Sequence, residues 1–224
     1  MNQPPSFAQY TLPLIRNPDF TSYSYFVSES NRAAYQLIET WPNWMVKRYV
    51  VWGPSGYGKT HFGHILKDRT QGIFLTARHI DRTMLETITN NSVYIIDDIH
   101  RLESPEMLFH FYNLTLEKEC WVVYLSNTPP GQLDTKLADL NSRLRSLPLL
   151  EIQQADDNMC CAIMKKVFAD LQIDVSDTVV HYLLAHTSRN LTDIHQNIQR
   201  LNQLSLEQKR NITIPLIKAS LDVK

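Results

Sequence analysis

The sequence predicts an α/β fold, a parallel sheet covered by helices on both faces, followed by a small helical domain. Three observations predict it. Short apolar runs alternate with helical stretches up to about Gln154. Each run is apolar at successive positions, as a strand buried on both faces must be. Beyond Gln154 the runs stop and only helical periodicity continues.

Residues 1–22, rich in Pro, Gln, Ser and Tyr and without a period, read as an extended arm. Ser30 stands as the N-cap of a first helix through NRAAYQLIETW, which Pro42 closes. Residues 45–52 read as the first strand, which runs into GPSGYGKTH, and HFGHILKDR continues as a helix. A second strand over 72–77 and a helix over 81–88 precede SVYIIDD (92–98), an apolar strand ending in two acids. The helix MLFHFYNLTLEK leads to a fourth strand at 121–126, stopped by Pro129 and Pro130; a helix over 137–144 and a fifth strand at 148–152 follow. Four helical stretches remain: 157–171, 177–186 after a Ser176 cap, 191–204, and 214–221 with Pro215 in its first turn. Leu191, Ile194, Ile198 and Leu201 share one face of the third. The expected units are an arm (1–22), an α/β core (23–154) and a helical domain (155–224).

Composition narrows the function classes. In 224 residues, 22 basic side chains face 23 acidic ones, and a protein that neutralised many phosphates would carry a basic excess. Three cysteines, two of them adjacent and none in C-x-x-C spacing, provide neither a disulfide framework nor a zinc ribbon, which suits a reducing cytoplasm. The N-terminus lacks the pattern of a leader, and no run reaches the about 18 apolar residues of a membrane span, so a cytoplasmic protein without membrane contact is expected.

GPSGYGKT (53–60) satisfies G-x-x-x-x-G-K-[ST] at every fixed position, between a predicted strand and a predicted helix. Glycines let backbone N–H groups close around a phosphate, the helix N-terminus adds its positive dipole, Lys59 neutralises phosphate oxygens and Thr60 offers a hydroxyl to Mg2+. The nucleotide-contacting set is Gly53, Pro54, Ser55, Gly56, Tyr57, Gly58, Lys59, Thr60 and His61, completed by Asp97. Such a site needs a carboxylate at the end of a neighbouring strand. Asp97 fills that place beside Thr60 as the Mg2+ partner, with Asp98 set to orient an attacking water; the alternative is an acidic helix cap. Asn127 ends the fourth strand and either points its amide at a terminal phosphate or serves as a turn residue in Asn-Thr-Pro-Pro. His61 and His64 lack a third ligand of supporting spacing, Cys160 and Cys161 read as packing, and Lys165, Lys166, Lys209 and Arg210 as solvated charges. Trp41, Trp44, Trp52 and Trp121 read as core, with Tyr25 or Phe26 free to border an adenine ring.

FVSESN (26–31), GPSGYGKTH, YIIDDIH, the strand end SNTPP and DLNSRL (139–144) occur in the order and spacing of the DnaA/Hda family of AAA+ ATPases, and the resemblance covers nearly the whole chain. It implies an AAA+ P-loop NTPase core with a five-stranded parallel sheet, a helical lid, and ADP or ATP with Mg2+ as ligands. The chain ends at Lys224, leaving no room for the DNA-binding domain of DnaA, so DNA is expected only indirectly. QYTLPL (9–14) is similar to the Q-x-x-L-P-L peptide by which family members bind the β sliding clamp. Gln9, Leu12, Pro13 and Leu14 are then the clamp contacts. Arg143 falls on the box VII Ser-Arg whose Arg acts in trans as a finger, here on ATP bound to DnaA, with Arg145 as the second candidate and a surface Arg paired with Asp139 as the alternative. The lid's sensor 2 Arg is replaced by Thr192, with Arg189 placed to substitute from the loop.

Three function classes follow. A negative regulator of initiation would bind the clamp and promote hydrolysis of DnaA-bound ATP; an adaptor or helicase-loader-like protein would recruit partners without doing so; a self-sufficient ATPase fits Thr192 less well. Self-assembly stays open.

Overall fold

The computed structural model describes residues 25–133 and 135–221; the arm and the clamp residues Gln9, Leu12, Pro13 and Leu14 lie outside them. Five strands, β1 (Arg48–Trp52), β2 (Ile73–Thr76), β3 (Val93–Asp97), β4 (Trp121–Ser126) and β5 (Leu149–Glu151), form one sheet in the order β2-β3-β4-β1-β5, and every pairing is parallel. The expected five-stranded parallel sheet is therefore observed, each strand within a few residues of its predicted span.

Alternation along the strands divides the core in two. Val51, Ile95, Val123 and Leu125 face α1 (Arg32–Thr40) and α2 (Lys59–Thr70), meeting Leu37, Ile38, Phe62 and Leu66. Val50, Tyr94, Ile96, Val122 and Tyr124 face the other way, packing with Leu108 and Phe111 of α4 (Pro105–Glu117) and Leu140 and Leu144 of α5 (Ala138–Arg145). The short α3 (Arg82–Glu86) lies on this second side, capped by Asp81.

The lid has a core of its own. Met159, Ile163, Met164, Val167 and Phe168 of α6 (Asp157–Asp170), Val180 and Leu183 of α7 (Asp177–Ala185), Ile194, Ile198 and Leu201 of α8 (Leu191–Gln208), and Leu216 and Ile217 of α9 (Ile214–Leu221) close on one another. Phe26, ahead of α1, packs against this cluster from the core side.

Some local expectations change. The N-cap of α1 is Asn31, not Ser30. Its side chain turns back to accept from Ser28 N at 3.0 Å and to donate to Phe26 O at 2.8 Å instead of capping the helix. β3 is not next to β1, because β4 lies between them. α8 runs to Gln208, four residues past its expected end, and stops where Lys209 takes a left-handed conformation.

Phe111 is fully buried and meets the Tyr94 ring edge-on at 5.4 Å. Phe111→Ala is expected to lower stability by about 3–5 kcal/mol, read as a reduced denaturant midpoint with an unchanged slope.

Candidate functional site: a phosphate loop beneath a helical lid

Because the chain leaves β1 for the far edge and returns through β3 and β4, the carboxyl ends of β1, β4 and β3 open side by side at the point where strand order reverses. The loop 53–58 leaves β1 there. Gly56 and Gly58 adopt φ of +79° and +90°, which suits glycine, and Gly58 is the N-cap of α2.

Lys59 is only 5% exposed and its ammonium donates to Gly53 O at 2.5 Å and Pro54 O at 2.7 Å. Burial lowers its pKa to about 8, against the pull of Asp97 and Asp98. Asp97 ends β3 and is 6% exposed. Its Oδ2 accepts from Thr60 Oγ1 at 2.7 Å and its Oδ1 from Asp98 N at 2.8 Å. Burial raises its pKa, and these two hydrogen bonds oppose the rise. Thr60 and Asp97 thus place two hard oxygens side by side, the donor set that a partly hydrated Mg2+ takes beside phosphates.

Asp98 lies past the strand in a left-handed turn, φ 60°, and Asn127 follows β4 directly. Both line a cavity of about 830 Å³ between core and lid, together with Ser55, Gly56, Gly58, Lys59, Thr60, His61 and Asp97. Gly53, Pro54 and Tyr57 do not line it. The first two supply the carbonyls that hold Lys59, and Tyr57 packs on the core. Phe26 borders the cavity, whereas Tyr25 stacks on Tyr35 at 5.8 Å.

The lid closes the cavity with Ile163, Lys166, Asp170, Leu191, Thr192 and His195, among others. Thr192 is therefore where its sequence position implied. Arg189 is not: its Nε donates to Asp157 Oδ1 at 2.6 Å, which ties the loop to α6 and keeps it off the cavity wall. The cationic side chain that the lid does present is Lys166, read from sequence as a solvated charge, and its Nζ lies 2.6 Å from Asp170 Oδ2.

Arg143 lies on α5, away from this cavity. Its Nη1 donates to Asn113 Oδ1 at 2.6 Å, and its guanidinium stands 5.0 Å from the Phe109 ring and 5.3 Å from the Tyr112 ring, so Asn113 rather than Asp139 is its partner. Arg145 is exposed and reaches Gly131 O at 3.2 Å. His64 stacks on Phe74, and among the described residues no group of three His, Cys, Asp or Glu side chains could hold a metal.

Of the residues at the site that were missed from sequence, two tie its parts together. His100 touches both Asn127 and Asp98. Asn190 caps α8 through Oδ1, accepting from Thr192 N at 2.9 Å, while its Nδ2 donates to Ser55 O at 2.8 Å. Leu191 N adds a bond to Gly56 O at 2.9 Å. A Cβ on Gly56 would fall 2.0 Å from Asn190 Oδ1, so the lid can approach this closely only over a glycine. Asn before Leu191 and its apolar period reads as a cap, but its second partner is 135 residues away in sequence.

A parallel sheet with a glycine-rich phosphate loop after β1, paired acids at the end of β3, and a helical domain over the cavity define an AAA+ P-loop NTPase fold. Residues 157–221 match the family model described as "Hda, lid domain". DnaA of Caldanaerobacter subterraneus subsp. tengcongensis is 25% identical over 96% of this chain, which spans 54% of that protein, about half its length. Domain III of Thermotoga maritima DnaA superposes with a TM-score of 0.74 at 17% identity, over 90% of this chain and 95% of that one. AMPPCP-bound DnaA from Aquifex aeolicus gives a TM-score of 0.69 at 22% identity, over 85% and 67% respectively. The lid segment thus matches the Hda lid model, and the chain as a whole is similar to DnaA proteins on an AAA+ fold.

Asn190→Ser keeps a good helix cap but is too short to reach Ser55. Hydrogen–deuterium exchange across 53–58 is expected to speed up in both Asn190→Ser and Asn190→Ala, whereas the first turn of α8 should loosen only in the alanine variant.

Proposed function

We propose that the chain is a negative regulator of chromosomal replication initiation. It binds ADP or ATP in the cavity beneath the lid, is tethered to the β sliding clamp by Gln9, Leu12, Pro13 and Leu14, and stimulates hydrolysis of ATP bound to DnaA through Arg143. The observation that carries this reading is an Hda-type lid closing a phosphate-loop cavity on a DnaA-like core. A protein brought to DNA by a clamp needs no basic surface of its own, which agrees with a formal charge of -1.

Within the chain's own cavity each residue has a defined task. The N–H groups of the loop and the N-terminus of α2 meet phosphate oxygens, and Lys59 leaves its two carbonyls to neutralise them. Thr60 and Asp97 hold Mg2+, which offsets the phosphate charge when bound. Asp98 and Asn127 face the terminal phosphate from the ends of β3 and β4. Arg143 does not line this cavity, and in this reading it acts on the nucleotide of a second molecule, DnaA.

Arg143→Ala is expected to return hydrolysis in a mixture of DnaA-ATP and DNA-loaded clamp to the rate without this protein, since a finger Arg is worth about 10³–10⁵ in rate. Clamp retention should persist in that variant and vanish when residues 1–14 are removed. Stimulation that survives Arg143→Ala removes the finger from this residue and leaves Arg145 to be tested. One observation favours a second reading. The Arg143 guanidinium is already engaged by Asn113 and two rings, as in an adaptor that recruits partners without activating DnaA. There Arg143→Ala lowers the melting temperature and leaves hydrolysis unchanged.

Lys59 supplies a pH test of the nucleotide site. With a pKa of about 8 in the free protein, it is part neutral above that pH, and a neighbouring phosphate draws a proton back onto it. ADP affinity is expected to fall as pH rises beyond about 8, with proton uptake on binding detected by calorimetry in buffers of different ionisation heat. Binding without uptake at that pH would show a Lys59 that is fully charged before the nucleotide arrives.

A further inference from the structure

We propose that His100 is a positioning residue that turns the Asn127 carboxamide so that its NH2 faces the terminal phosphate of a bound nucleoside triphosphate. The proposal rests on the nucleotide-binding reading above. His100 lies in the 3₁₀ turn 99–101 that follows β3, and Asn127 follows the adjacent β4. The turn is pinned by Ile99, which is fully buried, and is entered through the left-handed Asp98. The imidazole is nearly enclosed, with 12% of its side chain exposed.

Three contacts fix the ring's proton. The backbone N–H of Asn127 points at Nδ1 over 3.2 Å, so Nδ1 is an acceptor. In a neutral imidazole Nε2 then carries the hydrogen. Asp98 Oδ1, at 3.8 Å from Nε2, is an acceptor on that side and agrees with this tautomer. As placed in the structure, Asn127 Nδ2 lies 2.9 Å from the same Nε2, although amide nitrogen and oxygen are told apart only by such hydrogen-bond networks. Two N–H donors cannot satisfy each other, so the contact is made when the carboxamide oxygen faces the ring, and the NH2 group is then directed away from it.

That orientation decides what Asn127 offers a ligand. Phosphate oxygens only accept, so the NH2 attracts a terminal phosphate and the carboxamide oxygen would repel it. Without the ring, the carboxamide is free to turn either way. A nucleoside diphosphate has no phosphate at this place and is indifferent to the orientation. His100 therefore bears on the choice between triphosphate and diphosphate, not on nucleotide binding as such.

The test uses the full chain, with ADP and AMPPCP in the presence of Mg2+ as probes, by calorimetry. His100→Ala is expected to weaken AMPPCP by about tenfold, the scale of one hydrogen bond to a charged group, while ADP affinity stays within about twofold. His100→Gln, which also has an acceptor and a donor, should restore most of the loss. In an Asn127→Ala background the His100 substitution should add nothing, because the ring acts only through that side chain. Nitrogen-15 NMR of the ligand-free protein should find the His100 hydrogen on Nε2. An Nδ1–H tautomer, an unchanged ADP to AMPPCP ratio in His100→Ala, or equal loss of both probes overturns the proposal. An unsubstituted chain that binds neither probe, like the Lys59→Ala control, overturns the nucleotide-binding reading itself.

Discussion

Two hydrogen bonds from the start of α8 set the lid upon the phosphate loop, Asn190 Nδ2 to Ser55 O and Leu191 N to Gly56 O. The cavity takes its shape from them. The lid and the sheet have separate apolar cores, and burial of apolar area, which is not directional, cannot by itself fix how two such bodies are turned. Hydrogen bonds can, because they fail when distance and angle are wrong. Phe26 against the lid core and the Ser28 and Ser30 hydroxyls on Met159 Sδ reinforce the seam from the other end. The price of this seam is paid in sequence freedom at one residue, since Gly56 must have both a positive φ and no Cβ.

Charge explains why the loop is arranged as it is. A buried ammonium is costly unless it is hydrogen-bonded, and Lys59 finds the carbonyls of Gly53 and Pro54 while its pKa falls to about 8. Asp97, buried nearby, has the opposite difficulty and is met by a hydroxyl and a backbone N–H. Each group is held by neutral partners, and the two charges are not brought together as a closed ion pair. The cation therefore remains available to an incoming anion, and the carboxylate to an incoming metal.

What was legible in the sequence is what depends on neighbours along the chain. β4 at Trp121–Ser126 and α9 at Ile214–Leu221 fall where apolar runs and breakers put them, and the loop 53–60 is a motif whose geometry is local. Partners across the fold were not legible. Arg189 pairs with Asp157 and Arg143 with Asn113, over 32 and 30 residues, and no spacing rule relates such positions. Lys166 was read as a solvated charge of the lid, yet the docking of the lid turns it to the cavity. Strand order had the same effect on Asp97: β4 intervenes between β1 and β3, so Asn127 comes between the phosphate loop and the acids.

The lid's contribution of charge bears on where a terminal phosphate can be recognised. With Thr192 at the sensor position and Arg189 bound to Asp157, the basic side chain that the lid brings to the cavity is Lys166, which is paired with the carboxylate of Asp170. The core side is different: Lys59, Arg101 and the N-terminus of α2 all face the same space. On the nucleotide-binding reading proposed above, recognition of a third phosphate falls to Asn127 and His100 at the carboxyl ends of β3 and β4 rather than to lid charge. The start of α8 meets the phosphate loop through its backbone and Asn190, and no lid guanidinium among the described residues lines the cavity, so on the proposed reading lid docking and recognition of a third phosphate rest on different residues.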